Sequence, residues 1–192
     1  VSGRQIVNGL AARHRNGQGI CVGKALAANQ VKIIAIDDGA SERLDQAKML
    51  GVESVGEICV AGPSVTDQYW ARPQQTAEAK MVGEDGQIWH RMGDLGWLDD
   101  EGRVWFCGRK SERVVTEDGV LFTECVEGIV NAVSGVYRSA LVGADPPGQS
   151  GGGVKTPLVV VELESGQQTQ PVIDAVKAEL QVRPLTQSIE RV

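Results

Sequence analysis

The stretch His90-Arg91-Met92-Gly93-Asp94-Leu95-Gly96, then Asp99-Asp100-Glu101-Gly102, then Arg103-Val104-Trp105-Phe106-Cys107-Gly108-Arg109-Lys110 decides the fold. Residues 88–92 and 103–107 are strand formers, and the acidic segment between them carries the Asp and Gly that suit a turn. Together they predict an antiparallel hairpin that brings Asp94 and Arg109 to one edge. Upstream, 31–36 (Val-Lys-Ile-Ile-Ala-Ile) is a β-branched run ending at the turn Asp37-Asp38-Gly39, and 56–62 is a strand stopped by Pro63. Residues 1–17 are patternless and 40–50 form at most a weak helix. Arg72-Pro73 opens a short helix over 74–81.

The character changes after Arg109. Val114-Val115, Asp118-Gly119 and Val120-Leu121-Phe122 predict a second hairpin with a type I′ turn. Thr123 is placed to cap a helix over 124–133, strands follow at 139–143 and 157–163, and 170–181 is a helix with Val172, Ile173, Val176 and Leu180 on one face. The fold class read from this is α+β: an antiparallel β-rich region over 1–110, then a small α+β domain over 111–192. The segment Pro146 to Gly153 is a flexible loop.

Composition sets outer bounds. With 192 residues, 42% apolar and 23% charged, the chain has room for one sizeable core or two modest ones. A net charge of -6 excludes nucleic acid as the expected partner. The longest apolar runs are strand-sized, so no integral membrane segment and no signal peptide are expected. Cys21, Cys59, Cys107 and Cys125 are scattered without a CxxC pair, and with two histidines in the chain no metal site is expected. Reduced, buried thiols fit a cytoplasmic protein.

The motifs form an ordered series. Gly56-Glu57-Ile58-Cys59-Val60-Ala61-Gly62-Pro63 resembles a GEIxVxGP block, and Tyr69-Trp70-Ala71-Arg72-Pro73-Gln74-Gln75-Thr76 resembles GYxxRPExT. His90 to Gly96 with Gly108-Arg109-Lys110 resembles (Y/H)RTGDLG…GRxK, and Phe122-Thr123-Glu124-Cys125-Val126-Glu127 resembles (Y/I)xPxEIE. In this order, over roughly residues 18 to 165, they resemble the adenylate-forming superfamily of acyl-CoA synthetases, adenylation domains and luciferases. The wording around Trp89 to Asp94, Trp105 to Ser111 and Leu121 to Glu124 is most similar to the branch that makes β-lactones in bacterial olefin biosynthesis, often labelled fatty-acid CoA ligase. Asp118-Gly119 stands where CoA-using relatives carry Gly-Gly, which puts CoA use in question.

The resemblance implies an ATP- and Mg²⁺-dependent ligase that activates a fatty-type, β-hydroxy carboxylic acid as acyl-AMP and then closes a β-lactone. Thioester formation with CoA and a non-catalytic module of the same fold are the alternatives. Asp94 is implied to accept from the ribose hydroxyls and Arg109 to donate to phosphate or ribose oxygens, the two cofactor-binding residues. Lys110 and Ser111 are implied to form the hinge before the mobile C-terminal domain.

The resemblance implies that the family's phosphate loop and its adenine and magnesium motif are to be expected upstream of Val1, and its terminal lysine motif beyond Val192. The chain therefore reads as a piece with no catalytic residue of its own, inactive alone and in need of the upstream part of the same enzyme.

Other candidates yield to simpler readings. His90 fills the slot where relatives carry Tyr, and Glu124 and Glu127 suit a helix start. Gly148 to Thr156 has a P-loop's flavour in the wrong register and before a strand, where no helix N-terminus faces a phosphate. Trp89, Trp97 and Trp105 read as core aromatics.

Overall fold

The structure, a computed structural model, describes residues 9–146, 151 and 153–192. It is α+β, and its contacts divide it into two units, Cys21–Ser111 and 9–20 with Glu112–Val192.

The first unit is built on one sheet. Its strands are β1 (Ile20–Lys24), β2 (Gln30–Ile34), β3 (Gly56–Ala61), β4 (Lys80–Val82), β5 (Ile88–Leu98) and β6 (Arg103–Arg109), with helix α2 (Pro73–Ala79) before β4. The order is β1-β6-β5-β3-β2, with β4 also on β5. The pairings β2–β3, β3–β5, β4–β5 and β5–β6 are all antiparallel. Central β3 is buried on both faces, as a strand with cover on each side must be. Ile58 packs with Ile33 and Val104 on one face, while Cys59 and Ala61 pack with Ile34, Leu44, Met81 and Trp89 on the other.

The β5–β6 hairpin is closed by Asp99. Its carboxylate accepts from Glu101 N at 3.1 Å, Arg103 N at 2.8 Å, Arg103 Nε at 2.6 Å and Trp105 Nε1 at 2.9 Å. Burial alone would raise this carboxyl, but the Trp105 and Arg103 hydrogen bonds outweigh it and hold the group down at about 2. Trp97 stacks on Trp105 with ring centroids 5.2 Å apart. Trp89, Trp97 and Trp105 are all core residues.

The second unit is a small α+β core. Helix α1 (Ala11–Arg15) lies against α3 (Thr123–Val130), so closely that a Cβ on Gly128 would meet His14 Nε2 at 2.6 Å. The hairpin β7 (Val114–Thr116) and β8 (Gly119–Leu121), the antiparallel pair β9 (Val136–Ala144) and β10 (Thr156–Leu163), and helix α4 (Thr169–Gln181) complete it. Val126 and Val130 of α3, Val172, Val176 and Leu180 of α4, and Leu141 and Val159 of the strands form one cluster.

Several local expectations need correction. Residues 11–15 are helical because α1 has α3 to pack on, which a reading of local polarity misses; residues 1–8 lie outside the described residues. In place of a helix, the 40–50 segment holds a 3₁₀ turn at Leu44–Gln46 between isolated bridges from Arg43 to Val82 and from Met49 to Ile34. Lys80 and Met81 leave the expected helix and pair with His90 and Trp89 as β4, since Met81 gains full burial there. The second hairpin turns at Glu117-Asp118, as Thr116 pairs with Gly119; neither central residue has positive φ, so the turn is not type I′. Thr123 is the first helical residue and makes no side-chain cap, the N-cap being Phe122. The Pro146 to Gly153 loop lies mostly outside the described residues.

Asp99→Ala is expected to lower the stability of the folded chain by about 2 kcal/mol in urea titrations at neutral pH. Because the folded-state value lies below that of a free carboxyl, this stabilisation is full above about pH 4 and fades as pH falls toward 2.

Candidate functional site: the open end of the β5–β6 ladder

Asp94 and Arg109 are register partners, the last pair of the β5–β6 ladder. Arg109 Nη1 donates to Asp94 Oδ1 at 2.5 Å. Arg109 is more than half exposed and Asp94 one-fifth exposed, so the pair sits at the surface with its carboxylate partly sheltered. One guanidinium nitrogen uses a fraction of what a carboxylate can accept, leaving capacity for hydroxyl donors.

A bulge in β5 sets the direction of Asp94. Between β3 and β5, Glu57 opposes Leu95 and Cys59 opposes Arg91, so one residue of β3, Ile58, answers three of β5. The excess is taken up at Met92-Gly93-Asp94, where Gly93 adopts φ +66. A second irregularity, at Cys107 on β6, falls between Leu95↔Gly108 and Gly96↔Phe106. The sheet is thus regular through the tryptophans and deformed on both strands just before Asp94 and Arg109.

Beneath the pair lies a buried ionic cluster that motif reading had not singled out. Glu57 is 1% exposed. Its Oε2 accepts from Arg91 Nε at 3.1 Å, Arg91 Nη2 at 2.6 Å and Lys110 Nζ at 3.0 Å. Arg91 also donates to the carbonyls of Gly39 at 2.6 Å and Asp37 at 2.5 Å, and Lys110 reaches the same Asp37 carbonyl at 3.1 Å. The signal was present: both Glu57 and Arg91 sit inside the quoted motifs, as charges in strands that otherwise read as buried. The same cluster borders an open groove of about 650 Å³, also lined by Tyr69, Trp70, Arg72, Met92 and Gly93.

The remaining candidates fall as follows. Ser111 lies in the 3₁₀ turn Lys110–Glu112 that leaves β6. His90 is half-buried, with Nδ1 3.1 Å from the Ala79 carbonyl and its ring edge-on to Tyr69; burial lowers its pKa, against that hydrogen bond. Glu127 accepts from Leu141 N at 3.0 Å, and burial raises its carboxyl. Both side chains are tied into the fold. Cys59, Cys107 and Cys125 are buried and outside any disulfide, and burial with the nearby Glu57 charge pushes the Cys59 thiol up to about 12. Among the described residues, no three His, Cys, Asp or Glu side chains group to hold a metal ion. No helix among them is long and apolar enough to cross a membrane.

The sequence matches no family model. It is 46% identical over 188 residues to an olefin β-lactone synthetase of Stenotrophomonas maltophilia, a match covering 95% of this chain and 33% of that protein. It is 48% identical over 154 residues to another from Xanthomonas campestris, covering 78% of this chain and 27% of the relative. A long-chain-fatty-acid–CoA ligase of Salmonella typhimurium is 30% identical over 143 residues, 74% of this chain and 22% of the ligase. The chain thus spans a third or less of the curated relatives it matches.

Among solved structures, the amide bond synthetase McbA of Marinactinospora thermotolerans superposes with a TM-score of 0.70 at 24% identity, over 90% of this chain and 31% of that one. ATP-bound MatB of Rhodopseudomonas palustris gives 0.69, also at 24% identity, over 86% of this chain and 30% of that one. These two likenesses establish the fold.

Gly93→Ala is expected to cost about 1 kcal/mol of stability, read by thermal unfolding. Its Cβ has open space, so the penalty is that of positive φ alone. Gly93→Asn is expected to cost less, since Asn tolerates that region better.

Proposed function

We propose that this chain, which belongs to the adenylate-forming superfamily, supplies the ribose-holding corner of an ATP-dependent ligase and the connection to its smaller α+β unit. The observation that carries this reading is the cross-strand pair of an exposed Arg109 and a partly sheltered Asp94 at a bulged ladder end. In an otherwise acidic protein the pair presents one carboxylate suited to two vicinal hydroxyls and one guanidinium suited to phosphate or ribose oxygens.

In the intact protein, a carboxylate oxygen of the acid attacks the α-phosphorus of ATP, and the bond to pyrophosphate breaks, giving acyl-AMP. What this chain adds is positioning: a ribose fixed at Asp94 fixes the phosphate ester attached to it. Magnesium finds no ligand set among the described residues, and no contribution assigned to this chain depends on it. The remaining nucleotide and acyl contacts are assigned to parts of the enzyme outside this chain, and the chain alone is expected to be inactive.

For the second step, the two relatives at 46% and 48% identity are both olefin β-lactone synthetases, whereas the Salmonella CoA ligase stands at 30%. We therefore favour a β-hydroxy acid whose hydroxyl oxygen attacks the activated carbonyl. The new C–O bond closes a four-membered ring, AMP leaves, and the hydroxyl proton passes to solvent. Transfer to CoA is the competing outcome. Ser111, with Lys110, is the proposed hinge by which the smaller unit moves between the two steps.

Product mass spectrometry on the full-length parent, given ATP, magnesium and a long-chain 2-alkyl-3-hydroxy acid, tests this reading. A product lighter by one water and formed without CoA is expected; a thioester formed only with CoA would replace the lactone assignment. Asp94→Ala in the same protein is expected to weaken ATP binding at least tenfold, about 1.4 kcal/mol. Unchanged affinity would remove Asp94 from the site. Ser111→Pro is expected to slow the second step more than the first, read by comparing pyrophosphate release with final product.

A further inference from the structure

We propose that Glu57 is a positioning residue for the nucleotide site, clamping Arg91 and Lys110 so that Asp94 and Arg109 hold their separation at the end of the ladder. This rests on the assignment of Asp94 and Arg109 to the nucleotide.

The need for a clamp follows from the register. The β5–β6 ladder stops at Asp94↔Arg109, so Met92 and Gly93 on one side and Lys110 on the other have no strand partner across that ladder. In the bulge Met92-Gly93-Asp94, Gly93 adopts positive φ, and a glycine there stiffens nothing. Terminal pairs of a ladder fray unless another interaction holds them. Arg91 lies three residues before Asp94 and Lys110 one residue after Arg109. Both end on the same oxygen of Glu57, and both reach the Asp37 carbonyl. A single carboxylate thus ties β5 three residues before Asp94, and the chain leaving β6 one residue after Arg109, to each other and to the loop after β2.

Charge and burial make the tie specific. Glu57 and Arg91 are almost wholly buried, and Lys110 is four-fifths buried. Neutralising the carboxylate removes the counter-charge that Arg91 and Lys110 share on one oxygen, whereas removing Lys110 leaves the Glu57–Arg91 pair whole. Within the proposed hinge, Lys110 is then the fixed member and rotation begins at Ser111.

The test is equilibrium titration of AMP into the full-length parent, with the melting temperature of each variant measured alongside. Lys110→Met is expected to melt within a few degrees of the wild type yet bind AMP about tenfold more weakly, and Lys110→Arg to recover affinity to within about threefold. Glu57→Gln is expected to bind at least as weakly as Lys110→Met. Should that variant fail to fold, the two Lys110 variants still decide the matter. Wild-type affinity in Lys110→Met, or equal weakness in Lys110→Arg and Lys110→Met, would overturn the clamp. If the wild type binds AMP and Asp94→Ala does not, that failure belongs to the clamp alone. A wild type that does not bind AMP would overturn the nucleotide assignment along with it.

Discussion

A buried carboxylate on the central strand β3, with two cations on one oxygen, is the constraint on which the rest of the first unit depends. An uncompensated charge at Glu57 or Arg91 would cost about 3–5 kcal/mol, so neither residue can stay in place without the other. Satisfying them requires β3 and β5 to pair in a register that opposes Cys59 to Arg91, and it requires the Asp37 and Gly39 carbonyls to turn inward over the guanidinium. That requirement pulls the loop after β2 onto the sheet. It also fixes where β5 can be regular and where it must bulge.

From there the geometry of the site follows in steps. The regular part of the β5–β6 hairpin is locked by Asp99 at its turn and by Trp97 on Trp105 in its middle. The irregular part carries Asp94 and Arg109 out to the surface as a facing pair. A sheet is a stiff support, and a bulge at its end re-aims one side chain without loosening the rest. The pair therefore stands on a paired sheet and faces solvent at its open end, the placement on which the proposed nucleotide role rests.

Much of this was legible in the residues, for reasons that differ by element. The β5–β6 hairpin could be read because its two runs of strand formers are separated by an unmistakable turn. The helix at Thr169–Gln181 could be read because Val172, Val176 and Leu180 repeat at helical spacing and are buried. Asp94 and Arg109 came from motif wording, and the register then set them opposite each other.

What stayed hidden depends on distant partners. The strand Lys80–Val82 follows a helix-forming run without a break, and its partners Ile88, Trp89 and His90 across the sheet make it a strand. The strand Ile20–Lys24 is short and holds a glycine, so it carried no signal strong enough to read. Glu57 was visible only as a letter in a strand block, because its importance lies in Arg91 and Lys110, 34 and 53 residues further along.

The most direct measurement is a crystal structure of the full-length parent with AMP bound. The account predicts both ribose hydroxyls within about 3 Å of the Asp94 carboxylate, with Lys110 still on Glu57. A nucleotide bound with its ribose away from Asp94 would contradict it.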